Sequence, residues 1–410
     1  MPPGMGKTRA WLELIHETDE PTLVIAPKLV CLDVWPRENR KWGYDFGMRF
    51  LHGKGKHLRR LPQITLINYD GIPWLVEQLR YAKTMPFKQV IFDEVSKMKN
   101  PESKRVGKWL DIAGRIHYKN GGTGTPVGAH LIDLFGEMLV CDGGRTLGKD
   151  FARFKRSYFF ECGESRKLEP YSDAEDDIID MISNTAISFD INDLNMPPIK
   201  HIPHYLDLPE DARDAYEEMH TEGAVEELDL LAINAAVKSS KLRQMTGGGV
   251  IDMNGSRRKL HNAKAEHLRD ILDEHNGRPV MVFFEFLSDF QTICSVLKYE
   301  PPALYGKTKA RDAHKIIKRW NDGKVPVLAL HPRSAAYGLN LQDSGHVIVW
   351  YTTPWSFEMV NQGIARLWRQ GQQNKVLVYY LLVEGTEDER VYERVGEREA
   401  THNRVMEALL

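Results

Sequence analysis

A glycine-rich loop at the start of the chain constrains the fold more than any other stretch. The sequence M-P-P-G-M-G-K-T covers Met1–Thr8. Glycines let successive backbone N–H groups point at one anion, and the N-terminus of a following helix adds positive potential. We predict that Gly4, Gly6, Lys7 and Thr8 bind phosphate, with Lys7 on the β- and γ-phosphates and Thr8 on Mg²⁺. For so short a motif, a glycine turn that merely precedes a helix is a serious alternative.

An acidic strand end is a second, more specific feature. The stretch Q-V-I-F-D-E places two adjacent carboxylates, Asp93 and Glu94, directly after an apolar strand. At that position Asp93 is expected to hold Mg²⁺ through water, and Glu94 to orient and deprotonate an attacking water. A strand that ends in a charged turn is the common alternative. A phosphate loop, a buried strand at Thr22–Ala26 and then this acidic end is nevertheless the order expected of a nucleotide hydrolase.

Length and composition limit the remaining classes. A chain of 410 residues with a formal net charge of −2 fits two to three globular domains and excludes a wholly basic nucleic-acid coat, although a local basic groove stays possible. No apolar run approaches the roughly 20 residues of a membrane span. The chain opens on the glycine loop, which predicts no signal peptide. Four scattered cysteines favour a reduced cytoplasmic setting, in host or bacterium, over a disulfide framework or a zinc site.

Short apolar strands alternate with helical stretches in both halves of the chain, which predicts an α/β fold with two parallel sheets. We expect a first lobe at residues 1–145, a mainly helical bridging segment at 146–245 and a second lobe at 246–410. Within the bridge, Lys200–Asp207 alternates like a strand. Near the end of the chain, Trp355–Trp368 reads as a helix between two strands.

Weaker patterns add candidate residues. Thr123 and Thr125 lie in G-G-T-G-T-P after a strand, where short hydroxyl side chains can sense a γ-phosphate. Arg366 and Arg369 are three apart, so on a helix they would share one face and stabilise charge on a transferring phosphoryl group. A basic helix face is more often simply solvated, so this pattern is weak alone.

Taken together, the ordered motifs resemble those of superfamily 2 helicase-like ATPases, and of the Swi/Snf-type DNA translocases in particular. The compact length is similar to phage or bacterial versions. The resemblance covers nearly the whole chain, and its motifs are G-M-G-K-T (Gly4–Thr8), V-I-A-P (Val24–Pro27), N-Y (Asn68–Tyr69), D-E-V-S-K-M-K-N (Asp93–Asn100), T-G-T-P (Thr123–Pro126), Y-G-L-N-L (Tyr337–Leu341) and Q-G-I-A-R-L-W-R-Q-G-Q (Gln362–Gln372).

The resemblance implies two RecA-like lobes that bind ATP and Mg²⁺ between them and move along duplex DNA. Lys7 and Thr8 match the phosphate and Mg²⁺ residues, and Asp93 and Glu94 match the Mg²⁺-binding acid and the general base. The remaining matches are Thr123 and Thr125 for coupling ATP to DNA, and Gln362, Arg366 and Arg369 for completing the site from lobe two.

The family pattern also suggests a DNA path. Residues in or beside the matched motifs are expected to touch phosphate, namely Lys28, Asn68, Ser334 and Asn340. We expect a monomer, and the sequence does not identify protein partners.

Two departures from the family pattern affect these expectations. Ser96 stands at the fourth position of D-E-x-x, where histidine is common in this branch, and is expected to alter coupling more than hydrolysis. The strand and adenine-recognising segment that usually precede the loop are expected to be missing. Two alternatives to a duplex translocase therefore stay open: a helicase that separates DNA or RNA strands, and a DNA-binding subunit with an impaired ATP site.

Overall fold

A computed structural model describes residues 5–53, 56–127, 130–163, 167–189, 196–335 and 341–410. Its backbone forms two compact units. Unit 1 contains residues 1–194 and 398–410, and unit 2 contains residues 195–397. Across the described ranges, no helix combines the length and the hydropathy needed to cross a bilayer.

Unit 1 is built on a parallel sheet with the strand order β2-β3-β1-β4-β5. Side chains on both faces of its central strands are buried, because helices α1 and α2 cover one face while α3, α4 and α5 cover the other. The elements of this unit are α1 (Lys7–Thr18), β1 (Thr22–Ala26), α2 (Trp35–Lys41), β2 (Met48–Phe50), β3 (Ile64–Asn68), α3 (Ile72–Leu79), β4 (Gln89–Asp93), α4 (Lys104–Ala113), β5 (Tyr118–Gly122), α5 (Leu134–Asp142), α6 (Phe151–Tyr158), β6 (Phe159–Cys162), β7 (Lys167–Pro170) and α7 (Ala174–Ile182).

Unit 2 has a second parallel sheet, with the order β14-β15-β13-β16-β17-β8. Apolar clusters again lie on both of its faces. Its elements are β8 (Ile199–Leu206), α8 (Glu210–Glu222), β9 (Ala224–Val225), β10 (Leu230–Leu231), α9 (Ala235–Thr246), β11 (Gly249–Ile251), β12 (Arg257–Lys259), α10 (Ala263–Glu274), β13 (Val280–Phe283), α11 (Leu287–Leu297), β14 (Ala303–Leu304), α12 (Ala310–Asn321), β15 (Val327–Leu330), α13 (Pro332–Ala335), β16 (Val347–Trp350), α14 (Phe357–Ile364), β17 (Val376–Val383) and α15 (Glu387–Ala408), whose residues from 398 onward belong to unit 1.

The α/β class with two parallel sheets is confirmed. The alternating stretch Lys200–Asp207 is indeed a strand, and it forms the edge of the sheet in unit 2 by pairing along its whole length with β17. Residues of the expected bridging segment are shared between the two units: Phe154 and Ile178 pack in the core of unit 1, while Tyr216 and Leu242 pack in a cluster of unit 2. The three-part division at residues 145 and 245 stays a prediction.

Candidate active site

The start of α1 places the phosphate-loop residues that the structure describes. Gly6 precedes the helix in the left-handed region, with φ of 85°. An L side chain rarely adopts this conformation, so glycine suits the turn into the helix. Lys7 and Thr8 are the first two residues of α1, where unpaired backbone N–H groups make the helix start attractive to anions. Gly4 lies outside the described residues.

The carboxyl ends of four parallel strands form the edge of the sheet in unit 1 at which the D-E and T-G-T-P motifs lie. Strand pairing aligns Ala26 with Asn68, and Asp93 with Gly122. Ligands of open α/β sheets bind at such an edge. The same alignment brings the D-E motif and the T-G-T-P motif next to each other, although 29 residues separate Glu94 from Thr123.

Asp93 is a buried carboxylate held by an aromatic donor. The indole Nε1–H of Trp35 donates a hydrogen bond of 2.9 Å to its Oδ2, and both residues are buried. Burial raises the pKa of Asp93 above its ordinary value, and Glu94 adds to this rise, while Lys7 and the Trp35 hydrogen bond oppose it. The positive charge of Lys7 therefore acts directly on the carboxylate.

The backbone of Glu94 is strained at the end of β4. Its φ of 77° and ψ of 60° are left-handed, which is uncommon for a residue other than glycine and costs on the order of 1–2 kcal/mol. Two neighbours hold this conformation. The N–H of Glu94 donates to the carbonyl of Gly122 at 2.8 Å, and the hydroxyl of Tyr69 lies 2.7 Å from the Glu94 carbonyl.

Two hydroxyl groups hold the side chain of Glu94. Thr123 and Ser96 both donate to its Oε1, at 2.6 Å and 3.0 Å. Burial alone would raise the pKa of Glu94. Lys7 and the two hydrogen bonds outweigh burial, with a smaller contribution from Lys97, so the pKa lies below its ordinary value. The carboxylate is therefore ionised near neutral pH, as a general base must be.

The two threonines of the T-G-T-P motif differ in their surroundings. Thr123 Oγ1 accepts the backbone N–H of Thr125 at 3.1 Å while it donates to Glu94. Thr125 is fully buried, and its hydroxyl has no partner within the described residues. Gly122 lets α1 approach this motif, because a Cβ there would lie 2.6 Å from the ring of Trp11.

Mg²⁺ chemistry fits this side of unit 1. No three His, Cys, Asp or Glu side chains in the described ranges form a metal cluster. Mg²⁺ in nucleotide enzymes is usually held by one or two protein oxygens together with phosphates and water. The Thr8 hydroxyl and the fixed Asp93 carboxylate would supply such oxygens, and bound Mg²⁺ would neutralise phosphate charge.

The predicted DNA contacts occupy both units. Lys28 is exposed just after β1, and Asn68 is half-buried at the end of β3, so these two lie at the same edge of the sheet in unit 1. Ser334 is only 8% exposed and lies in the short helix α13 of unit 2. Asn340 lies outside the described residues.

The arginine motif of unit 2 departs from the predicted local structure. Helix α14 ends at Ile364 and not at Trp368, so Arg366 and Arg369 follow the helix and do not share a helix face as predicted. The chain leaves the helix through tight turns, in which the N–H of Arg366 bonds to the carbonyl of Gly363 at 3.1 Å. The indole of Trp368 then donates to the carbonyl of Pro197, which fixes the turn against the segment before β8.

Gln362 and Arg366 are nevertheless neighbours. Both are mostly buried, and the Nε–H of Arg366 donates to the Gln362 carbonyl at 2.9 Å. The Gln362 amide in turn donates to Glu358 at 3.1 Å. This orders the two side chains within unit 2.

Three residues of the site in unit 1 were not predicted as contacts of the D-E motif. Trp35 holds Asp93, Tyr69 contacts the carbonyls of both acids, and Ser96 contacts Glu94. Tyr69 and Ser96 do lie in motifs that the sequence identified, but a motif does not reveal which atom its residues reach. Trp35 lies outside the motifs that the sequence identified.

Comparison with known proteins places both halves of the chain in one group. Residues 3–264 match the SNF2-related domain, and residues 263–371 match the helicase conserved C-terminal domain. The first of these matches covers more than half of the chain.

Three individual proteins are also similar to the chain. The chain is 30% identical to "Putative protein p41" of Acyrthosiphon pisum secondary endosymbiont phage 1, over 99% of this chain and 93% of that protein. It is 24% identical to the ISWI chromatin-remodeling complex ATPase ISW1 of Saccharomyces cerevisiae, over 96% of this chain but only 37% of the yeast protein. A solved structure of the Sulfolobus solfataricus SWI2/SNF2 ATPase core in complex with dsDNA is 22% identical, with a TM-score of 0.42, over 100% of this chain and 88% of that one.

Proposed function

This chain belongs to the SNF2-related family of helicase-like ATPases, and we propose that it is a motor that couples ATP hydrolysis to movement along duplex DNA. The observation that carries the proposal is the Glu94 carboxylate, whose pKa lies below its ordinary value and which accepts a hydrogen bond from Thr123 of the coupling motif. A base that is already deprotonated suits hydrolysis at neutral pH. Its bond to Thr123 gives hydrolysis a direct connection to a second motif.

The roles proposed for the residues are those that the motif resemblance implies. Lys7 would hold the β- and γ-phosphates of ATP, and Thr8 with Asp93 would hold Mg²⁺. Glu94 would take a proton from the attacking water. Gln362, Arg366 and Arg369 match the family's second-lobe motif, and we propose that the arginines stabilise charge on the transferring phosphoryl group.

The charge pattern of helix α12 in unit 2 supports the proposal that the protein binds a polyanion. Its Ala313, Ile316, Ile317 and Trp320 side chains face the apolar core. The opposite side and the preceding loop expose six lysine and arginine side chains and a single acid, Asp312. None of these cations forms an ion pair with a described residue, and they are Lys307, Lys309, Arg311, Lys315, Lys318 and Arg319.

The cations of α12 repel one another in the free protein. Arg311, Lys315 and Arg319 are spaced four apart, so they stack on one helix face, and each like-charged pair is unfavourable by a few tenths of a kcal/mol. A phosphate backbone would relieve this repulsion and release counterions. In a chain of net charge −2, such a concentration of positive charge fits a nucleic-acid surface better than general solubility.

Duplex DNA is the partner we propose, because the Swi/Snf-type motifs favour it and because the yeast relative acts as a chromatin-remodeling complex ATPase. The chain spans little more than a third of that relative, so its partners and biological task do not carry over. A monomeric state and a cytoplasmic location stay predictions.

The test compares ATP turnover with no nucleic acid, single-stranded DNA, duplex DNA and RNA in parallel. We expect duplex DNA to stimulate most, and both Lys7→Ala and Glu94→Gln to abolish turnover. Wild-type turnover equal to that of either variant would refute the enzymatic role of the site. Assays of strand displacement and triplex displacement then distinguish a duplex translocase from a strand-separating helicase. A duplex translocase removes the third strand of a triplex and leaves the duplex intact.

A further inference from the structure

The loop after β3 contacts the catalytic strand end through one hydroxyl group. Tyr69 is 5% exposed, and its Oη lies 3.0 Å from the carbonyl of Asp93 and 2.7 Å from that of Glu94. A carbonyl only accepts, so the phenol proton is shared between the two, with the shorter contact on Glu94. Burial, and then the charges of Asp93 and Glu94, raise the pKa of Tyr69 well above its ordinary value, so it remains a donor.

This hydroxyl acts where the backbone is strained. The left-handed conformation at Glu94 turns the carbonyl of that residue away from the strand direction of β4. Loss of the hydrogen bond that the Tyr69 hydroxyl donates to this carbonyl favours relaxation of Glu94 toward the ordinary backbone region. Such a relaxation would move the Glu94 side chain relative to Thr123 and Ser96. The position of the base therefore depends on Tyr69.

Tyr69 also lies in a segment with its own external contacts. Asn68, the preceding residue, is one of the proposed phosphate contacts. The following residue, Asp70, forms an exposed ion pair of 2.8 Å with Arg105. The Arg105 guanidinium lies 5.8 Å from the Tyr69 ring centroid and reaches the carbonyl of Lys97 at 3.4 Å. The loop after β3 is thus joined to the segment from Glu94 onward in two ways. Tyr69 bonds directly to the Glu94 carbonyl, and Arg105 bridges Asp70 and the Lys97 carbonyl.

We propose that Tyr69 is a positioning residue that transmits nucleic-acid contact at the loop after β3 to the general base. A phosphate that binds Asn68 would fix the loop, and Tyr69 would then hold the Glu94 backbone in its left-handed form. The proposal rests on the proposed function, since it needs a DNA-stimulated ATPase. It adds a backbone route for coupling, separate from the side-chain route through Thr123.

A merely structural tyrosine would affect turnover in a different way. Loss of general stability lowers basal and stimulated turnover by the same factor, because it removes active molecules. Loss of coupling lowers the stimulated rate more, so the ratio of the two rates falls. KM for ATP separates these further. Within the described residues, the Tyr69 hydroxyl bonds to the carbonyls of Asp93 and Glu94 and not to the phosphate loop, so its loss should leave nucleotide affinity unchanged.

The test is Tyr69→Phe, which removes the hydroxyl and keeps the ring. We expect the ratio of DNA-stimulated to basal kcat to fall at least about fivefold, with KM for ATP and the Kd for DNA within about twofold of wild type. The matched control is Tyr351→Phe, which removes another buried hydroxyl that donates to a backbone carbonyl, that of Gly247 at 2.8 Å in unit 2. The control should leave the ratio unchanged.

A second variant keeps the proposal testable if Tyr69→Phe does not fold. Arg105→Gln breaks the ion pair with Asp70 on the surface, and it should lower the same ratio while leaving basal turnover unchanged. An unchanged ratio in the folded variants, or an equal drop in basal and stimulated kcat, would overturn the role of Tyr69. If wild type shows no stimulation by DNA, the proposed function fails instead, so the two failures are distinguishable.

Discussion

The Thr123 hydroxyl donates a hydrogen bond of 2.6 Å to the Oε1 of Glu94, across the paired ends of β5 and β4. The same hydroxyl accepts the backbone N–H of Thr125 at 3.1 Å. The conformation of the T-G-T-P motif and the ionisation of the proposed base are therefore properties of one network. A substitution in the T-G-T-P motif should therefore change the ionisation of Glu94, and a substitution of Glu94 should change the conformation of the T-G-T-P motif.

Removing the Thr123 hydroxyl should shift the pH dependence of hydrolysis. The hydrogen bond favours the charged form of Glu94, whose pKa lies below its ordinary value, and the base works only when it is ionised. Activity is therefore present above that pKa and is lost as the pH falls through it. In Thr123→Val the pKa rises, so the acidic limb of the kcat/KM profile should move to higher pH.

The control for this shift is Thr65→Val. Thr65 is a buried strand threonine of unit 1 whose hydroxyl has no partner among the described residues. Its substitution should lower stability little and leave the acidic limb in place. A limb that does not move in Thr123→Val, measured over pH 4 to 8 with DNA present, would contradict the electrostatic role of this hydrogen bond.

Trp35 should affect Mg²⁺ more than nucleotide recognition. Trp35→Phe removes the N–H that holds the Asp93 carboxylate, and the partners of a metal ligand typically influence metal affinity by about 10- to 100-fold. We expect half-maximal activation to need about tenfold more Mg²⁺, and fluorescent-nucleotide binding without Mg²⁺ to be unchanged.

Trp109→Phe is the matched comparison for this change. Trp109 is equally buried in unit 1 and packs edge-on against Phe92, beside the D-E motif, but it donates its indole N–H to the carbonyl of Val140 at 3.1 Å and not to either acid. Both substitutions leave a similar small cavity, so both should reduce thermal stability. A similar Mg²⁺ requirement in the two variants would mean that Trp35 only fills space.

The strands that carry the candidate site were easier to predict from the sequence than the contacts around it. Parallel strands place their carboxyl ends at one edge, so the motifs that follow β1, β3, β4 and β5 had to meet there once the strands were recognised. The strand Gln89–Asp93 is a clear example, since four apolar or amide side chains precede the two acids. By contrast, the sequence did not predict β2, which is three residues long and has no fully buried side chain.

Contacts between distant residues could not be read from the pattern. Trp35 reaches Asp93 over 58 residues, and a single tryptophan in the sequence does not reveal which acceptor its N–H will bind. The left-handed backbone of Glu94 could not be predicted from the sequence either, because it depends on the carbonyl of Gly122 and the hydroxyl of Tyr69, which are distant along the chain. The end of α14 was placed too late for a similar reason, since the turn after Ile364 is held by Trp368 on Pro197.

Unit 2 should lose stability as the pH rises through the range in which Asp289 ionises. Burial raises the pKa of Asp289 to about 6, although backbone N–H groups of Phe286 and Glu285 and the charge of Lys264 oppose the rise. Between its ordinary value and about 6 the folded state binds the proton more tightly than the unfolded state. The free energy of unfolding therefore falls as the pH rises through this window.

Asp289→Asn should remove this dependence. The amide keeps an acceptor for the helix start at the N–H of Phe286, which lies 3.0 Å from the carboxylate, and it has no charge to bury. Relative to the variant, wild type should lose on the order of 2 kcal/mol between pH 4 and 7 in urea unfolding. If the free energies of unfolding of the two proteins change in parallel with pH, the proposal that Asp289 is a buried carboxyl group that ionises in this range is wrong.

The basic surface of α12 should determine much of the salt dependence of DNA binding. A plot of log K against log salt has a slope of about −0.9 per phosphate contact. The triple variant Lys315→Gln, Lys318→Gln, Arg319→Gln removes three exposed cations without touching the apolar side of the helix. We expect the slope to become shallower by about 2 to 3, and the affinity at low salt to fall at least about tenfold, for any DNA sequence.

The control removes as much charge from elsewhere in unit 2. Lys259, Arg269 and Lys298 are exposed and scattered along the chain, and their change to glutamine gives the same net charge as the α12 triple variant. If DNA binding depends only on the net charge of the protein, the two triple variants will weaken binding equally, and the proposal of a specific role for α12 is wrong. If α12 contacts phosphate, only the α12 variant will change the slope of log K against log salt. That slope depends on the number of cations that contact phosphate, whereas charges elsewhere on the protein do not release counterions from the DNA. Basal ATP turnover without DNA should be the same in both, since these side chains are remote in sequence from every proposed site residue.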